Sequence, residues 1–171
     1  ISLNISLPAI TQNNIDSIIN MKKNRIMIVE DDSVTARSLQ MSLEKLGYII
    51  TTIVSSGEQA IQKLEEGDSP DLVLMDISLQ GELDGIETAR ILAARFNLTV
   101  IYLTSHDDKD VFEKAKTTNP YGYLTKPFTT DDLQKVVELG IYRLKTDADR
   151  LILVTELKNE IVERHRIEKE L

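Results

Sequence analysis

The 171-residue chain contains no cysteine and only two histidines. Without thiols there are no disulfides and no thiolate metal sites, and a reducing compartment suits the chain. Two imidazoles cannot build a multi-histidine metal centre. No apolar run approaches the ~20 residues a membrane-spanning helix needs, and the N-terminal stretch lacks the basic start and apolar middle of a signal peptide. A cytoplasmic location with no membrane partner is therefore expected. The pattern GxxxxGK[ST] is missing, which removes P-loop nucleotide chemistry. Neither internal repeats nor low-complexity tracts occur.

What is present is a core-forming composition, 42% hydrophobic and 28% charged, suited to one domain of ordinary size with an appendage. The net charge of −8 is unevenly placed. Residues 1–20 carry only Asp16, residues 21–142 carry 13 basic and 20 acidic groups, and residues 143–171 carry 7 of each. Phosphate backbones are gripped by clustered Lys and Arg, so an acidic body excludes nucleic acid as the expected partner. A divalent cation is a more natural guest.

Residues 1–20 have scattered apolar residues, Pro8 and an Asn-rich middle, and read as a leader, linker or cloning remnant. From Arg25 strand-like and helix-like segments alternate. Strands are predicted at 25–29, 48–54, 72–75, 100–103 and 122–124, and helices at 33–46, 57–66, 84–96, 107–117 and from 130 onward. Ser33, Asp84 and Thr130 are the expected caps, and Gly47, Gly67 and Pro70 the stops. Five apolar strands each followed by a helix imply a parallel sheet buried on both faces, because parallel strands need crossovers.

Right-handed crossovers bring the strand ends to one edge. Glu30 and Asp31, Asp76, Thr104 and Lys126 each directly follow a predicted strand, so all five meet there. Taken singly, an acid after a strand is ordinarily a helix cap, a threonine a turn former and a lysine before proline a solvated charge. Together they occupy the edge where ligands bind in open α/β sheets. Crowded carboxylates repel one another unless a cation neutralises them, and Mg²⁺ takes carboxylate oxygens readily.

Four motifs, IVEDD at 28–32, LVLMDISLQGELDGIE at 72–87, YLTS at 102–105 and GYLTKPF at 122–128, make residues 24–142 resemble a response-regulator receiver domain. The resemblance implies an α/β, flavodoxin-like, doubly wound five-stranded parallel sheet in the order 2-1-3-4-5. It implies a signalling module rather than an enzyme, one that promotes its own phosphotransfer and dephosphorylation. Carried over by residue, Asp76 is the phosphoacceptor, Glu30 and Asp31 are the acidic pair at Mg²⁺, Lys126 is the family lysine, and Thr104 and Tyr123 form the switch. Ser78 is expected to offer its backbone carbonyl to the metal. Lys126-Pro127 is expected to be cis. A sensor histidine kinase or phosphotransfer protein is the implied phosphate source. His106, two after Thr104, is a further candidate for tuning phosphate lifetime, whereas His165 lacks the context of a kinase phosphoacceptor.

Beyond Tyr142 the last helix is expected to run on to Leu171. Leu144, Ala148, Leu151, Val154, Leu157 and Ile161 recur at spacings of three and four, and Glu160–Arg164 is one of several opposite-charge pairs four apart. The division expected is 1–20 leader, 21–142 receiver and 143–171 helical linker, forming a homodimeric coiled coil and resembling linkers that precede PAS or histidine-kinase modules. Two rivals stand beside this reading. One is a receiver-like scaffold that dimerises without phosphate; the other is an Asp-nucleophile phosphatase, which needs a second acid where Ser78 stands.

Overall fold

The computed structural model describes residues 23–105 and 109–170. The expectations for residues 1–20, His106 and Leu171 lie outside them.

The strands are β1 (Arg25–Val29), β2 (Ile49–Val54), β3 (Leu72–Asp76), β4 (Val100–Thr104) and β5 (Gly122–Thr125). All pair in parallel in the order β2-β1-β3-β4-β5. The helices between and after them are α1 (Ser33–Lys45), α2 (Gly57–Glu65), α3 (Gly85–Phe96), α4 (Lys109–Lys116) and α5 (Thr130–Glu170). This is the flavodoxin-like doubly wound arrangement with a long C-terminal helix.

The alternation along each strand decides which helix covers which face. Ile26, Ile28, Leu72, Leu74, Ile101 and Leu103 pack with Leu39 and Leu43 of α1 and with Leu133, Val137 and Ile141 of α5. Met27, Val29, Val73, Met75 and Tyr102 face the other way, onto residues of α2, α3 and α4 such as Ala60, Leu92 and Ala115. Burying each large side chain contributes about 1.5–3 kcal/mol, so the two layers clamp the central strands from both sides. Positions at the strands' carboxyl ends are thereby fixed.

Two caps differ from expectation by one residue. Asp32, not Ser33, caps α1, its carboxylate accepting from the Thr35 N–H at 2.8 Å. Thr129, not Thr130, precedes α5, where its hydroxyl accepts from the Asp132 N–H at 3.1 Å and Asp132 accepts from the Thr129 N–H at 2.9 Å. The reciprocal pair is a capping box, and the oxygen that closes it must lie three residues before its donor. Asp84 caps α3 as expected, accepting from the Glu87 N–H. Strands β3 and β4 also run one residue further than predicted, so Asp76 and Thr104 are the last residues of strands rather than the first of loops.

Helix α5 has 41 residues, or about 60 Å at 1.5 Å per residue. Gly140 lets it cross β4 closely, since a Cβ there would meet Ile101 Cδ1 at 2.8 Å. Residues 145–169 are all exposed.

Candidate functional site

Strands β1, β3 and β5 deliver their ends to one point. Glu30, the residue after β1, and Asp76, the last of β3, are buried, whereas Asp31 is half-buried. One carboxylate oxygen from each of the three lies within 4.8 Å of the others. Lys126, directly after β5, reaches in from the side, its Nζ 2.6 Å from Glu30 Oε2 and 2.9 Å from Asp76 Oδ2. The Lys126-Pro127 peptide is cis.

One ammonium faces three carboxylates, so the cluster keeps a surplus of negative charge. Burial pushes the Glu30 carboxyl up to about 7, with Asp76 beside it pushing the same way and Lys126 opposing. Burial pulls Lys126 down, but its bonds to Asp76 and Glu30 outweigh that and hold the ammonium above its ordinary value. Hard oxygen donors with net negative charge are the donor set that Mg²⁺ takes. Asp32 is excluded from this set because its carboxylate is spent on capping α1. Hydrogen bonds from the Thr35 hydroxyl and N–H hold its carboxyl below the usual range.

The loop after Asp76 is tied into the cluster. The Ser78 N–H donates to Asp76 Oδ1 at 2.9 Å, and the Gln80 N–H donates to Asp31 Oδ2 at 3.3 Å. Thr104 ends β4 with 7% exposure, and its hydroxyl donates to the Thr125 hydroxyl at 3.4 Å. Thr125 escaped the sequence reading. The register that pairs Thr104 with Thr125 was the missing signal, because neighbouring side chains on one sheet face depend on it.

Tyr123 faces the same side two residues earlier. Its ring packs against Tyr102 at 5.9 Å and Phe112 at 4.5 Å between centroids. Tyr102 is fully buried, its hydroxyl bonded to that of Thr118 at 2.9 Å, and burial pushes its phenol up to about 12. The Tyr123 hydroxyl is buried with no hydrogen-bond partner among the described residues. An unpaired buried hydroxyl costs about 1–3 kcal/mol, a cost that the ring packing on Tyr102 and Phe112 offsets.

Of the residues singled out in the sequence, Glu30, Asp31, Asp76, Ser78 and Lys126 thus come together, while Thr104 and Tyr123 lie on the neighbouring strands β4 and β5. His165 lies far along the exposed part of α5, bordered by the Glu160–Arg164 and Glu163–Arg166 ion pairs. No described helix is long and apolar enough to cross a membrane.

Comparison with known proteins agrees with this fold. Residues 26–138 match the response regulator receiver domain family. Over 137 residues the chain is 31% identical to the transcriptional regulatory protein PdtaR of Mycobacterium tuberculosis, in an alignment covering 80% of this chain and 62% of PdtaR. Among solved structures, the signal receiver domain of a modulated diguanylate cyclase from Desulfovibrio desulfuricans superposes with a TM-score of 0.68 at 41% identity, covering 73% of this chain and 98% of that one. The N-terminal domain of a response regulator/sensory box/GGDEF three-domain protein from Carboxydothermus hydrogenoformans gives 0.67 at 35% identity, covering 72% and 98%. The chain spans less than two thirds of the length of the curated relatives it matches.

Proposed function

The chain belongs to the response regulator receiver domain family of two-component signalling, and on that premise we propose that Asp76 accepts a phosphoryl group from a sensor histidine kinase or a phosphotransfer protein. The observation that carries this is the meeting of Glu30, Asp31 and Asp76 with Lys126 at the ends of β1, β3 and β5. A carboxylate oxygen of Asp76 forms a bond to phosphorus as the phosphorus–nitrogen bond to the donor imidazole breaks. The nitrogen keeps the electron pair and takes up a proton.

Asp31, Asp76 and the Ser78 carbonyl would hold Mg²⁺, with Glu30 assisting through water. The ion, when bound, supplies neutralisation of the phosphoryl oxygens. Lys126 is a flexible point charge that turns from the acids to the acyl phosphate. Thr104 exchanges its long bond to Thr125 for a phosphoryl oxygen, and the Tyr123 ring follows into the vacated space. The readout falls on α4, β5 and α5, since Tyr123 sits in β5, packs on Phe112 of α4 and shares a groove with Asp132 and Val136 of α5.

The domain division of the sequence reading, 21–142 receiver and 143–171 linker, is kept within this proposal. Leu151, Val154, Leu157 and Ile161 are 41–65% exposed on the outgoing helix, and a second copy pairing as a coiled coil would cover them. The output is then an adjoining module, as in the multi-domain protein whose N-terminal receiver superposes here.

Incubation with Mg²⁺ and a small phosphodonor followed by intact mass measurement tests the chemistry. One labile phosphate is expected, lost in Asp76→Asn and in chelator. A stable adduct elsewhere contradicts it. Sedimentation of the full chain against a version ending at Lys145 tests the pairing, which is wrong if both are monomers at tens of micromolar.

A further inference from the structure

The loop joining β3 to α3 is held at its far end by a carboxylate that belongs to neither strand end nor cluster. Residues 78–83 form no strand or helix, so their backbone N–H groups need acceptors from outside. Ser78, Gln80 and Leu83 among them find carboxylates in three different parts of the chain. Ser78 donates to Asp76 and Gln80 to Asp31, as described above. The Leu83 N–H donates to Glu58 Oε1 at 2.9 Å, and Glu58 lies in the first turn of α2.

Two features of the chain make this contact possible. Gly81 has φ +149°, and a Cβ there would stand 3.3 Å from Glu58 Oε2, so the loop backbone folds directly against the carboxylate. Gly57, the first residue of α2, lies against α3 so closely that a Cβ would come 2.0 Å from Thr88 Oγ1. That approach brings the start of α2 to the start of α3, and Glu58 with it. Hydrogen bonds from its own N–H and from Leu83 hold the Glu58 carboxyl below its ordinary value, so it meets the loop as an anion.

We propose that Glu58 is a positioning residue for the cation site, acting through the loop. The inference rests on the Mg²⁺ set given above. Of the three loop bonds described the one from Gln80 to Asp31 is the longest, at 3.3 Å, and it draws on a carboxylate that the proposed cation would claim. Once Asp31 turns to the ion, the loop keeps Asp76 at its near end and Glu58 at its far end. Glu58 then decides whether Ser78 stays in place to offer its carbonyl. Outer partners that orient metal ligands carry about 10- to 100-fold in affinity when removed; a backbone clamp one step further out belongs at the low end.

Glu58 is also a negative charge in the neighbourhood of a cation, and two substitutions separate that effect from the clamp. Glu58→Gln removes the charge but keeps an oxygen for the Leu83 N–H, whereas Glu58→Ala removes both. Mg²⁺ binding is followed by calorimetry on the full chain, and phosphorylation by a small phosphodonor is followed across Mg²⁺ concentrations. Glu58→Ala should raise the Mg²⁺ dissociation constant by about 10-fold and leave the phosphorylation rate at saturating Mg²⁺ within about twofold. Glu58→Gln should raise it by no more than about threefold. Equal losses in the two variants would assign the effect to charge and overturn the clamp. So would an unshifted constant in Glu58→Ala, or a lower saturating rate at an unshifted constant. A wild-type chain that binds no Mg²⁺ would instead overturn the ligand set, and the clamp with it.

Discussion

The body that ends near Tyr142 and the helix that leaves it obey different physics. In the body each central strand is buried on both faces, and three acids and a lysine are brought together only because that packing fixes the strand ends. Residues 145–169 touch solvent at every position, and their ion pairs, such as Glu160–Arg164, join exposed partners. Exposed pairs contribute about 0.3–0.5 kcal/mol each on a helix. A helical stretch of this kind is marginal alone and is held by growing from an anchored first part. The acid and lysine cluster lies wholly in the body; the outgoing helix is tied to it by continuity and, at its first turns, by bonds to Tyr121.

The largest effects should therefore fall on one side of that line. Asp76→Asn is expected to abolish phosphorylation by a small phosphodonor, whereas ending the chain at Lys145 should leave the rate within about twofold, because no residue of the site lies beyond Lys126. Intact mass measured over time checks both. A truncated chain that no longer takes phosphate would break the division between the two regions.

Stability should divide in the same way. Leu74 is fully buried between α1 and α5, and Leu74→Ala is expected to cost about 2–5 kcal/mol. Ile161 is 54% exposed, and Ile161→Ala, measured by denaturant unfolding of the monomer, should stay within about 0.5 kcal/mol. If Ile161→Ala proves costly only at concentrations where the chain self-associates, the pairing of the outgoing helix gains support.

Buried charge sharpens the contrast through pH. The folded Glu30 carboxyl lies at about 7 against an ordinary 4.5, so folding favours its protonated form. Its contribution to stability is complete below pH 4.5 and is lost as the pH rises towards 7. In chelator, the wild-type melting temperature should fall relative to that of Glu30→Gln across this interval, by a few degrees. The constant loss of one Lys126 partner in the variant shifts the curve without changing this slope. Parallel curves would contradict the assignment.

Much of this was legible beforehand. The order of elements, the strand-end placement of Glu30, Asp31, Asp76, Thr104 and Lys126, and the run of α5 follow from apolar patterning and motif spacing, which are local. The caps of α1 and α5 were misplaced because Asp32-Ser33 and Thr129-Thr130 are adjacent pairs of good capping residues, and only backbone geometry chooses between neighbours. Thr125 and Glu58 were missed for another reason. Each acts across the fold, one through β4–β5 register and one through the close approach of Gly57 to Thr88, and neither contact has a sequence spacing to betray it.

The smallest predicted effect lies on the boundary itself. Tyr121, the residue before β5, donates its hydroxyl to Asp147 Oδ2 at 2.9 Å, and Arg143 donates to the Tyr121 carbonyl at 3.0 Å. These two bonds fasten the first exposed turns of α5 to the strand that carries Tyr123, two residues on. Leu144, Ala148, Leu151 and Val154 line the same groove as Tyr121, with Asn97 and Thr99 opposite. A displacement of β5 thus has a direct route into the outgoing helix, and its strength is that of a part-exposed hydrogen bond, about 0.5–1.5 kcal/mol. Tyr121→Phe keeps the ring and removes the bond to Asp147. Body stability should change by less than about 0.5 kcal/mol, while amide exchange over residues 147–152 should quicken by about 2- to 5-fold. If exchange there is unchanged, the helix is held by the groove's apolar contacts alone, and the boundary between the regions lies further along α5 than Lys145.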